Sequence, residues 1–246
     1  MPALAGQSED SLASLLLVMV MNRIRHILAF ALVSLALPAT ARAQSGLNGQ
    51  LTILEKNNAR TTDLSNAVVW LESATPGALV PAVNAQIVME SRQFVPRLQV
   101  VPVGSTVAYP NHDPFRHNVF SKSGPAEFDL GLYARGERKQ VMVQRAGVYP
   151  IFCNIHAKMV AYVVATSSRW TVRPGADGRF SIDHVPTGTY TLKVWHERGG
   201  ELSRSVQIAA DSAAPIAVQL DARRYKLMPH RNKFGKAYTA TGSERY

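Results

Sequence analysis

The chain has 246 residues, with 27 lysines and arginines against 17 acidic residues, a net charge of +10 and a mean hydropathy of −0.04. Its 46% apolar content supports a real core and excludes an intrinsically disordered or collagen-like chain, and its single cysteine excludes a disulfide framework. The length admits one large domain or two small ones.

Residues 1–43 read as an export signal rather than as fold. Arg23, Arg25 and His26 form a basic start, 27–38 is an apolar run too short to span a bilayer, and Ala41-Arg42-Ala43 is a cleavage signal that leaves Gln44 as the mature start. No twin arginine is present there, so the expected route is general secretion and the expected location the periplasm. Glu9 and Asp10 precede an earlier apolar run, where an export signal wants positive charge, so translation is expected to begin at Met21.

From residue 44 onward no amphipathic helical period is evident, and short β-rich runs alternate with turn residues. Strands are expected at 50–54, 67–72, 86–90, 97–101, 105–109, 117–120, 140–144, 148–153, 159–165, 169–173, 179–183, 188–195, 203–208 and 215–220. The fold class is therefore all-β. Asp177-Gly178 predicts a tight hairpin turn, with Phe180 and Ile182, then Tyr190 and Leu192, alternating inward. The stretch from Ala176 to Ile182, followed by Val185-Pro186-Thr187-Gly188-Thr189-Tyr190, resembles a carboxypeptidase-regulatory-like (transthyretin-like) sandwich. Such a module places an earlier strand pair first, of the kind seen at 51–54 and 68–71. The hundred or so residues between the two parts are too many for a loop. The expected organisation is one sandwich of 46–83 plus 169–222, a second β domain of 84–168 inserted in it or packed beside it, and a basic tail at 223–246.

The inserted segment carries the chemistry. Cys153-Asn154-Ile155-His156-Ala157-Lys158-Met159 is a C-x2-H-x2-M motif, and His117 lies upstream at the start of an apolar run. A lone thiol in an exported chain is a liability unless it is used, and metal ligation removes that liability. One thiolate, two imidazoles and a thioether form the set that a single blue-copper ion takes, with methionine as the weak axial ligand. His117, Cys153, His156 and Met159 are thus the expected copper ligands. His112, beside the Asp113-Pro114 turn, is the second candidate for the upstream position. His184 and His196 are expected to pack rather than bind metal, and His230 to be solvated.

With these residues in view, 84–168 resembles a cupredoxin of the amicyanin and plastocyanin kind. The runs Gln93-Phe94-Val95-Pro96, Gly104-Ser105-Thr106-Val107 and Pro110-Asn111 ahead of His117-Asn118-Val119 add to the likeness, and the whole chain resembles exported proteins of the methylamine-utilisation or plastocyanin-like kind. The resemblance implies a Greek-key sandwich holding one type 1 copper. It also implies that Asn118 bonds main chain near the cysteine and steadies the site, and that His156 is an exposed electron port. Ile155 and Ala157 stand where amicyanin loops carry proline, which implies a less rigid loop here.

The expected function is single-electron carriage between periplasmic redox partners. Copper binding or transport without redox turnover is the alternative. An enzyme is not expected, because multicopper catalysis commonly draws on His-x-His pairs and this sequence has none. The tail holds Arg223, Arg224, Lys226, Arg231, Lys233, Lys236 and Arg245 against Glu244 alone, and Lys158 adds charge beside His156. An acidic protein partner is expected, with a membrane surface as a further contact for the tail and no nucleic acid.

Overall fold

In the computed structural model, residues 45–61, 64, 66–75, 77, 79–210, 214–226 and 230–238 are described. The export signal and its cleavage point lie outside them. Among the described residues the secondary structure is seventeen strands and one short 3-10 turn at Lys56–Asn58, so the chain is all-β as expected.

Seven early and late strands build the first sheet pair. β1 (Ser45–Leu54) sits between β14 (Arg179–Val185), antiparallel, and β17 (Ile216–Asp221), parallel. The facing sheet runs β13 (Thr171–Val172), β2 (Ala67–Ser73), β15 (Gly188–His196), β16 (Gly200–Ile208). Leu51 and Ile53 on β1, Val69 and Leu71 on β2, and Leu192 and Val194 on β15 meet between the two sheets. This is the alternation that a strand with one face in a core must show. The Asp177-Gly178 turn is real, with Gly178 at φ +81 and a Cβ there meeting the Leu51 carbonyl oxygen. It is not a hairpin, however. It carries the chain from β13 in one sheet to β14 in the other, so β14 pairs with β1 rather than with the strand before it.

The strands between β2 and β13 form a second core. A five-stranded sheet is ordered β6 (Leu98–Pro102), β12 (Val160–Thr166), β11 (Gly147–Phe152), β8 (His117–Ser121), β9 (Phe128–Tyr133). A three-stranded sheet is ordered β10 (Arg138–Met142), β7 (Thr106–Pro110), β3 (Asn84–Gln86), and β4 (Val88–Glu90) pairs with β5 (Gln93–Val95). Ile87, Val107, Tyr109, Val119, Ile151 and Val163 belong to the core between them. The expected run 86–90 is split, because Ile87 turns inward between β3 and β4.

The two sandwiches pack through sheet faces rather than edges. Residues of β2 and β15 that point away from the first core, Val68, Trp70 and Trp195, meet Leu98 of β6 and Val164 of β12. β2 is therefore apolar on both faces, which is why its sequence AVVWL does not alternate. Tyr162 lies 4.9 Å from Trp195, and the Arg97 guanidinium pairs with Glu197 at 2.6 Å across the same contact.

Candidate metal centre

β8 and β11 are neighbours in the five-stranded sheet, with Phe120 opposite Phe152. That pairing sets His117, at the start of β8, beside Cys153, at the end of β11. The chain then turns through 153–159 into β12, a turn closed by hydrogen bonds from Cys153 N to Met159 O (3.3 Å) and from Met159 N to His156 O (3.0 Å). The turn brings His156 back over Cys153.

His117 Nδ1 and His156 Nδ1 are 3.1 Å apart, and Cys153 Sγ lies 3.7 Å from the first and 3.6 Å from the second. A circle through three points so spaced has a radius of about 2.0 Å, the length of a metal–imidazole bond and slightly under a metal–thiolate bond. One ion therefore fits among these donors without moving the main chain. All three residues are buried, and among the described residues they are the one such group of histidine, cysteine and acidic side chains. Met159 is 1% exposed in the same core and on the same turn. His112 is exposed and outside the group. His184 is exposed at φ +58, and His196 is fully buried with its Nδ1 accepting from Arg198 N at 3.3 Å.

Burial dominates the electrostatics of the donors. Burial pushes the Cys153 thiol up, while the main-chain N–H groups of residues 155, 118 and 156 point at the sulfur and favour the thiolate. Burial also lowers His117, against the pull of Asp113, which favours the neutral imidazole. Asp113 is the residue that sequence reasoning missed. The Asp113-Pro114 pair suggests a turn, yet Asp113 places its Oδ2 2.8 Å from His117 Nε2. It also accepts from Ser91 N (2.7 Å) and Arg92 N (2.9 Å). Burial works to raise this carboxyl, but the hydrogen bonds from Arg92, His117 and Ser91 outweigh it and hold Asp113 below the usual carboxylate range. A carboxylate at Nε2 puts the imidazole proton there and leaves Nδ1 free for a metal. The signal was in the sequence: Asp113 stands four residues before His117.

Two expectations change. The side chain of Asn118 does not bond main chain near the cysteine. Its Nδ2 donates to Asp129 Oδ1 at 2.7 Å, and it is the Asn118 main-chain N–H that faces the sulfur. His156 is not an exposed port, being 6% exposed. Phe115, with its ring centre 5.6 Å from that of His156 and 5.2 Å from that of His117, covers them, and the Arg92 guanidinium lies 5.0 Å above Phe115. His156 and Met159 instead border a cleft of about 480 Å³ whose rim carries Arg92, Arg97 and Lys158.

The chain is similar to solved structures over part of its length. A Cu-containing nitrite reductase from Thermus scotoductus SA-01 is 26% identical over 38% of this chain, with a TM-score of 0.33, and this chain spans 25% of it. A purple cupredoxin from Nitrosopumilus maritimus is 26% identical over 33% of this chain and 99% of its own, with a TM-score of 0.31. Amicyanin from Paracoccus versutus is 24% identical over 40% of this chain and 97% of its own, with a TM-score of 0.32. No curated protein matches the sequence. A family model, that of polysaccharide lyase family 4, domain II, matches residues 159–216, from the end of the 153–159 turn to the start of β17.

Proposed function

We propose that this chain is an exported type 1 copper protein that carries single electrons between redox partners and catalyses no reaction of its own. The observation that carries this reading is the buried triangle of His117 Nδ1, His156 Nδ1 and Cys153 Sγ. Met159 would add a thioether to the three donors that would hold the ion, and copper so held would supply a one-electron couple. The chain's own contribution is to favour the neutral imidazole at His117, to aim its Nδ1 inward through Asp113, and to exclude water with Phe115. A rigid, buried ligand set changes little between two oxidation states, which suits electron carriage better than metal release.

The proposed location is the periplasm, reached by cleavage near Ala43. The proposed domains are 84–168 for copper and 46–83 with 169–222 as scaffold. The proposed partner is acidic, because the cleft beside His156 is rimmed by Arg92, Arg97 and Lys158. The test is to add Cu(II) to residues 44–246 with Cys153 reduced and record the visible spectrum. An intense thiolate-to-copper band that is lost in Cys153→Ala is the expected result. Tight Cu(I) binding without that band would overturn electron carriage in favour of copper handling, and no binding of either ion would overturn both.

A further inference from the structure

The basic tail does not simply run into solvent. Residues 230–238 have no strand or helix, yet they are built. Gly235 N donates to Asn232 O at 2.8 Å, Asn232 Oδ1 accepts from Phe234 N and Lys236 N at 3.0 Å each, and Arg231 reaches the Gly235 carbonyl at 2.9 Å. This organised turn lies against the metal loop.

Its contacts fall on Cys153 and its neighbours. The Tyr238 hydroxyl donates to the Cys153 carbonyl at 2.6 Å. Lys233 N donates to Asn154 Oδ1 at 2.9 Å, and Lys233 Nζ reaches Asp129 Oδ2 at 2.7 Å. The other oxygen of Asp129 is the acceptor for Asn118, the residue after His117. His230 stacks on Phe152 with ring centres 4.5 Å apart and planes 25° apart. A phenol that gives its one proton to Cys153 can only accept from His230 Nδ1, 3.3 Å away, so that nitrogen carries the hydrogen and shares it with the Arg231 carbonyl at 3.1 Å.

We infer that residues 230–238 are a clamp on the metal loop, in which Tyr238 positions the main chain of Cys153 and Lys233 positions Asn154 and, through Asp129, Asn118. Fixing the Cys153 carbonyl fixes the plane of the peptide that leads to residues 155 and 156. Their N–H groups are two of the three that face the thiolate sulfur. The third belongs to Asn118, which the Lys233–Asp129 pair restrains from the other side. The loop lacks the prolines that would stiffen it locally, with Ile155 and Ala157 in place. The clamp supplies the stiffness from outside the loop.

The inference rests on the copper reading only where copper is the probe, so the first arm needs no metal. Cys153 is 0% exposed, and its rate of modification by neutral 4,4′-dithiodipyridine in the metal-free chain reports how often the loop opens. Tyr238→Phe should raise that rate roughly fivefold, the value of one hydrogen bond, and a chain ending at residue 229 should raise it more than tenfold. Tyr190→Phe removes a comparable bond, to the Pro186 carbonyl in the other sandwich, and should leave the rate unchanged. Wild-type rates in both Tyr238→Phe and the shortened chain would overturn the clamp. So would an equal rise in Tyr190→Phe, which would mean that the rate reports general unfolding. In the second arm, Tyr238→Phe loaded with Cu(II) should shift the thiolate-to-copper band while Tyr190→Phe does not, and an unshifted band would remove the positioning role. A chain that takes up no copper refutes the copper reading, and the thiol rates still decide the clamp.

Discussion

Asp113→Asn tests how the site selects its ligand atom. The native carboxylate is 5% exposed and serves three donors: Ser91 N–H on Oδ1, and Arg92 N–H and His117 Nε2–H on Oδ2. An asparagine has one oxygen and one amide, so whichever way it is turned at least one of these donors faces N–H instead of an acceptor. With the amide toward His117, the clash is relieved only if the imidazole moves its proton to Nδ1, the atom 3.1 Å from His156 Nδ1 and 3.7 Å from the sulfur. A protonated Nδ1 cannot bind metal. Loss of an orienting partner of this kind costs about 10- to 100-fold in metal affinity, or roughly 1.4–2.7 kcal/mol. The metal-free chain should also lose roughly 1.5–3 kcal/mol of stability, the range for hydrogen bonds to a buried charge. Asp113→Ala offers no wrongly placed donor, so it should cost less metal affinity than Asp113→Asn. The assay is competition for copper against a chelator of known affinity at fixed pH, alongside urea unfolding of the metal-free variants. Asp113→Asn binding copper within twofold of wild type, with an unchanged spectrum, would refute the claim that this carboxylate sets the tautomer.

Cys153→Ala should abolish the thiolate-to-copper band while changing metal-free stability by only about 1 kcal/mol, since one buried sulfur is removed; urea unfolding checks the second half. Trp195→Ala should cost about 3–5 kcal/mol, because the indole fills the contact between the two sandwiches and lies 4.9 Å from Tyr162. A loss below 1 kcal/mol in denaturant unfolding would mean that this face is not packed. Gly178→Ala should cost more than ~1 kcal/mol, because φ +81 disfavours a side chain and the Leu51 carbonyl occupies its place; thermal unfolding reads this directly. At Asp129, burial works to raise the carboxyl and the bonds from Lys233, Asn118 and Gly131 outweigh it, so its folded value is depressed. Its stabilisation is then complete above the usual carboxylate range near pH 4 and is lost as pH falls through the folded value, so Asp129→Asn should flatten the acid limb of a stability-against-pH curve.

The strand content was legible because both cores impose a period of two on the sequence. Phe180 and Ile182 point inward in alternation, as do Leu192 and Val194, in the way the residues suggest. What the period does not give is the partner. Asp177-Gly178 reads as a hairpin. β2 and β15, already paired, occupy one sheet, and β1 leaves an open edge in the other, which β14 takes. The competition between edges is decided by strands more than a hundred residues away, so no local signal resolves it.

The site divides in the same way. Cys153, His156 and Met159 lie within seven residues, because a turn between adjacent strands needs no more than that to fold three donors toward one point, and the spacing is readable. His117 comes from 36 residues upstream, through the pairing of β8 with β11, and an apolar run beginning at a histidine hinted at it. The groups that orient these donors left weaker marks. Asp113 stands beside a proline, where an aspartate is ordinarily a turn residue, and only the approach of Ser91 and Arg92 turns it toward His117. Tyr238 is 85 residues from the carbonyl it holds, in a stretch with no period, and its basic neighbours read as a contact for an outside partner. Ligand identity is a matter of which atoms bind metal, and residue type states that openly. Ligand orientation is a matter of which main-chain groups are held still, and any donor that reaches them will serve, so residue type states it hardly at all.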